Sequence, residues 1–398
     1  MKFLANPNII YVGTFTIPFL VYNFGWSTLY PSLSIDLLFF YIITFSFCLL
    51  LGYAVNKLAP FKFTPIPISR YNKPIIVFII LFFLIDCVYA RQIPLLSLSS
   101  GEESYEGGKT FGIPTLHVIM VTFTLFYSLY IFHQYISNKQ KSLFIMFLFT
   151  LAPFILLLQR SNLMYIFIGA LYIYTLSLQK IRLKRIALLS GFIVFFIYIF
   201  GYLGNLRSGN GDSTFIPRMS GVTDKFLKGP VPNEFYWGYL YIASPVASLQ
   251  NNINAELYVK PDALSFTVYE MLPDFLTKNA QNYLDIHIRH FHQLNDFLNV
   301  GTIYANSYSY LSWPGMFIMF GYLMFLMNVY YLIVSKIGKY KITGIALMFN
   351  LIAFSNFSNT IQFSAFSIQL VFPILFTILN QLRSKAKNES YTSTSAFN

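Results

Sequence analysis

Four arginines and one short polar run carry the residue types from which chemistry can be built. Arg160 sits in a connection of about three residues, 159–161, between two apolar runs. Arg207 closes another run inside GYLGNLRSG, 201–209, and Arg91 stands directly after a third. An ionisable group at the lipid boundary is either a binding element or a side chain that snorkels to headgroups. The planar guanidinium matches phosphate oxygens in pairs and never loses its charge, so arginines at such addresses suit recognition of a diphosphate. Arg289 lies in the run 285–296, DIHIRHFHQLND, with three of the five histidines of the chain. His287 and His290, three apart, would share one face of a helix as metal ligands do, but no cysteine joins them and the acids are poorly placed, so no metal is expected. Acid–base work on an attacking hydroxyl, by Asp285 or His287 here or by Glu234 further back, remains open beside a purely structural role. Asp86 and His117 fall inside apolar runs, where each either lines a polar cavity or packs.

Apolar helices must position these groups. Hydrophobic residues make up 56% of the 398 residues and charged ones only 11%, and the apolar residues come in blocks of about twenty, which excludes a soluble domain. About ten spans are expected: 9–26, 36–55, 74–90, 113–132, 142–158, 162–178, 186–203, 308–334, 342–357 and 364–379. The first run lacks a small-residue cleavage site and reads as a retained helix. Cys48 and Cys87 both lie in apolar runs, which gives neither a disulfide framework nor a metal site.

Charge supplies a topology. One alternating set of connections, with both termini, holds seventeen basic residues against one acid; the rest of the chain holds ten basic residues and fourteen acids. The positive-inside rule then puts both termini in the cytoplasm, and explains the net charge of +12 without nucleic acid. The chain divides into a seven-helix membrane region (1–204), a large outward loop (205–307), a three-helix region (308–380) and a disordered tail (381–398). Within the loop, 234–249 and 264–276 are too apolar to stay solvated and are expected as short amphipathic helices, with a polar, turn-like stretch at 250–262 between them. The shorter outward loop, 91–112, reads as mobile.

The order of these features resembles the bacterial O-antigen and capsule repeat-unit polymerases, the Wzy class of membrane glycosyltransferases. The resemblance rests on RQIPL at 91–95, QRS at 159–161, GYLGNLRSG at 201–209, YIASP at 241–245, GTIY at 301–304 and WPG at 313–315. It implies an all-α polytopic bundle of GT-C type in the bacterial inner membrane. Its reaction is inverting and needs no metal or cofactor. The substrates are undecaprenyl-diphosphate-linked glycans as donor and acceptor, and a chain-length regulator and a flippase are partners in the same pathway. Residue by residue, Arg160 and Arg207 would hold diphosphate oxygens, with Arg91 and Arg289 as further basic contacts, and Asp285, His287 or Glu234 would serve the acceptor hydroxyl. A recurring arginine-to-glycine spacing found in two outer loops of some relatives is missing. Three rivals stand beside this reading: an O-antigen ligase with the same donor, a lipid-linked oligosaccharide flippase, and an acyltransferase, whose mark is a membrane-embedded histidine paired with an acid.

Overall fold

A computed structural model describes residues 2–96, 111–178, 183–208, 212–255, 260–295 and 297–395; the side chains of 2, 206–208 and 384–395 are outside that description, as is most of the outward loop 91–112. The chain is all-helical among these residues. Each expected apolar run coincides with a helix: α1 (Pro7–Tyr22), α2 (Ile35–Leu58), α3 (Asn72–Ala90), α4 (Leu116–Asn138), α5 (Lys141–Leu156), α6 (Arg160–Ser177) and α7 (Leu183–Ser208). After the long connection come α8 (Glu234–Asn254), α9 (Ile303–Ser335), α10 (Lys341–Phe354) and, beyond a one-turn start at Ser364–Ser367, α11 (Val371–Ser395). Six of the helices are long and apolar enough to cross a membrane: α2, α3, α4, α7, α9 and the stretch Ser364–Arg383. The chain is thus a membrane-embedded, multi-pass helical protein.

Local chemistry sets the helix ends. Asn6 caps α1 by accepting from the Asn8 amide at 3.0 Å, with Pro7 in the first turn where no donor is needed. Ser34 caps α2, whose Asp36 and Lys57 complement the two ends of the helix dipole. The hairpin from α5 to α6 turns on Leu158 at φ +54°, so α6 begins at Arg160 itself.

α4 is the hub. In its most apolar stretch 72% of residues are buried, against 6% for α7 on the rim, and α5, α6, α10 and the Ser364–Ser367 turn pack around it. Two buried asparagines near the start of the chain bond across the bundle. Asn8 donates to Asn328 of α9 at 2.7 Å, and Asn6 donates to the Gly52 carbonyl at 2.8 Å. Both cysteines are buried, so the thiols are packed.

Two expectations for the long connection change. The run after 234 is no short surface helix: α8 has 21 residues, most of them buried against α7, α1 and α9. It also runs through the supposed turn to Asn254, because the polar residues there have partners. Gln250 accepts from the Ser34 amide at 2.8 Å and Asn252 donates to the Ala305 carbonyl at 2.9 Å. α7 and α8 approach so closely that a Cβ on Gly201 would lie 1.9 Å from the Glu234 carbonyl oxygen. At the C-terminus, α11 continues as helix to Ser395 where a disordered tail is expected from the sequence.

Candidate active site

Pro314 decides where the site forms. It lacks the amide hydrogen that the Tyr310 carbonyl would accept, and α9 breaks beside it at Ser312, φ 52° and ψ −141°. The carbonyls at the break find other donors. The Asp262 amide bonds Tyr310 O at 3.3 Å, and the Arg289 guanidinium donates to Ser309 O at 3.2 Å. Arg289 also donates to Lys260 O at 3.0 Å, lies 3.9 Å from the Asp262 carboxylate and stands over the Tyr310 ring. Two of its five donors are thereby fixed on main chain, and the guanidinium is oriented before any ligand arrives. Burial raises the Asp262 carboxyl, but hydrogen bonds from Ser265 and the charges of Arg289 and His287 outweigh it and hold the group below its usual range.

The segment from Asp285 on is irregular, not helical, so the spacing of His287 and His290 does not place them on one helix face. It is an extended strip stitched down by side chains from neighbouring helices. The amides of His287, Arg289, Phe291 and His292 donate to Ser265, Tyr310, Asn306 and Asn252 at 2.9 to 3.3 Å.

Beside the strip lies a cavity of about 300 Å³ lined by Glu270, Asp274, Lys278, Arg289, His290 and Tyr310, among others. Glu270 is 4% exposed and sits where the chain widens into a π turn, Thr267–Met271. Asn359 fixes it, donating to both its carbonyl (2.7 Å) and its carboxylate (3.0 Å), while the Asn359 oxygen accepts from the amides of Ile361 and Gln362. Burial pushes the Glu270 carboxyl up to about 8, against the pull of Asn359 and Asn306. A carboxyl so placed exchanges a proton near neutral pH. Only one sequence signal marks it: an acid inside the apolar run 264–276.

Of the residues singled out from sequence, Arg289 and His290 line this cavity. Asp285 and His287 are exposed on the strip. Glu234 opens α8 against Gly201 at the far end of that helix, close to where Arg207 closes α7; the Arg207 side chain lies outside the described residues. Arg91 ends α3 in a left-handed turn and is exposed, and Arg160 is half-buried at the start of α6.

A second constellation joins Asp86 of α3 to His117 of α4. Asp86 Oδ2 meets His117 Nδ1 at 2.5 Å, Asp86 Oδ1 accepts from the Ile113 amide at 2.7 Å, and Gln159 reaches His117 Nε2 at 3.5 Å. Gly112, at φ +80°, lets the backbone cross the carboxylate, where a Cβ would fall 2.5 Å from both oxygens. The two residues thus pair with each other, and Gln159, which reaches His117, directly precedes Arg160 in the chain.

Compared with family models, with curated proteins and with solved structures, the chain matches none.

Proposed function

We propose that the chain is a membrane glycosyltransferase of GT-C type that joins undecaprenyl-diphosphate-linked repeat units into a surface polysaccharide on the outer side of a bacterial inner membrane. In this reading ten helices cross the membrane and both termini are cytoplasmic. The observation that carries it is the Glu270 cavity: a buried carboxyl poised near neutral pH, with Arg289 and Lys278 on the same walls. The acceptor hydroxyl attacks the anomeric carbon of the donor sugar and passes its proton to Glu270. The bond from that carbon to the diphosphate oxygen breaks, and its electron pair leaves with the lipid diphosphate. The Arg289 guanidinium, held on main-chain carbonyls, stabilises that departing anion, and the exposed Lys278 ammonium adds positive charge. A cavity of about 300 Å³ is at the small end for ligand clefts and fits the sugar next to the reacting bond rather than a whole repeat unit.

The test is the banding pattern of the surface glycan. Glu270→Gln, Arg289→Ala, Arg160→Ala and Arg207→Ala are each expected to leave single-repeat glycolipid and no ladder while the protein still reaches the membrane. Normal ladders in all four sink the proposal, and accumulation of unligated long polymer indicates a ligase instead. A second reading, acyl transfer to a surface glycan, is favoured by one observation, the buried His117–Asp86 pair. It requires His117→Ala to remove acyl groups from the glycan with chain length unchanged.

A further inference from the structure

A second cavity, of about 800 Å³, lies between α1, α2 and the α8 helix. Its walls carry six rings, Phe19, Tyr22, Tyr30, Tyr41, Phe45 and Tyr239, and none of the residues lining it is charged. On one side it is bounded by Leu38 and Ile42, 41% and 58% exposed on α2, which is a face that bilayer hydrocarbon covers. At the other end stand Asn23, Ser27 and Ser32 of the α1–α2 connection. Asn23 donates to the Phe19 carbonyl and Ser27 to the Ser220 carbonyl, and this rim carries no charged side chain for an anionic head. An uncharged, ring-lined slot open to lipid suits a hydrocarbon chain.

We propose that this groove holds the tail of the lipid-linked substrate, an inference that rests on the reading above. α8 connects the two cavities. Tyr239 lines the groove, and on the same helix Asn252 bonds the strip that carries Arg289. At 1.5 Å per residue the two positions are about 20 Å apart. One molecule that fills both places its tail against Tyr239 and runs its diphosphate and sugars along α8 to Glu270.

The experiment uses the full-length protein in phosphatidylethanolamine and phosphatidylglycerol nanodiscs, with a polyprenyl diphosphate bearing a diazirine near the end of its tail. Photolabel is expected in peptides containing residues 38–45 and Tyr239. Excess unlabelled polyprenyl diphosphate should remove it, and Ile42→Trp should lower it at least fivefold by filling the slot. Ile42 faces lipid, so its indole does not enter the packed core; Leu38→Trp, on the same face, provides a second blocked form. Label spread evenly over α2, α3 and α7, label unchanged in both variants, or label competed equally by phosphatidylglycerol overturns the assignment. An unlabelled groove with polymer still lost in Glu270→Gln removes the groove alone. A labelled groove with normal polymer in all four variants named above removes the polymerase reading alone.

Discussion

Glu270 gives two separable expectations. As the base it must be ionised, so activity should rise with pH through about 8, and Glu270→Gln should lower turnover by about 100-fold or more above pH 8, with the gap narrowing as pH falls. Stability runs the other way. The unfolded carboxyl ionises near 4.5 and the folded one near 8, so between those values the folded state keeps a proton that the unfolded state loses. The contribution is complete below about 4.5 and is lost as pH climbs through 8, an effect of up to about 5 kcal/mol. Thermal melts in detergent should show the wild type weakening from pH 5 to pH 9 while Glu270→Gln changes little; parallel curves would place Glu270 in a more solvated setting than described. Gly112 tests the other buried acid. Gly112→Ala sets a methyl against the Asp86 carboxylate in a left-handed turn and should cost about 1 to 3 kcal/mol in the same assay. An unchanged melt would mean that the backbone does not cross there as described.

At the scale of elements, the break in α9 makes the site, and Pro314→Ala should undo it. With an amide restored, the helix competes for Tyr310 O, Asp262 loses its backbone partner and Arg289 its anchorage. Polymer formation should fall at least tenfold, with membrane levels retained, as read from glycan ladders and immunoblots. Full activity would show that Arg289 holds its place without the break. The helices themselves were legible from the sequence, because a run of twenty apolar residues in lipid has only one way to satisfy its backbone. The same rule misleads at 234–254, where Gln250 and Asn252 read as turn residues although tertiary partners keep them helical. The strip from Asp285 fails for a like reason: its amides are satisfied by Ser265, Tyr310, Asn306 and Asn252, distant in sequence, so local pattern cannot report its shape. Arg289 was readable as a charge among histidines. Glu270 was not, because nothing short of Asn359 and the cavity separates it from an ordinary acid in an apolar run.

For the molecule as a whole, the lysine-rich connections set a topology that chemical labelling can read. Cys48 and Cys87 are buried, which leaves a quiet background for single introduced cysteines. Lys228→Cys, at an exposed position in the long connection, should react with a membrane-impermeant maleimide on intact spheroplasts, and Lys57→Cys only after lysis. The opposite pattern would invert the protein. The bond from Asn8 to Asn328 has a consequence for synthesis. At roughly 5 to 20 residues per second, the ribosome delivers α9 about 15 to 60 s after α1. Through that interval the first helix carries a carboxamide whose final partner does not yet exist. Asn6 serves as its companion meanwhile: its side-chain oxygen accepts from Asn8 Nδ2 at 3.0 Å, and its own amide is fastened to α2, the next helix to emerge. The nascent chain thus carries its own placeholder for a contact completed near the end of translation.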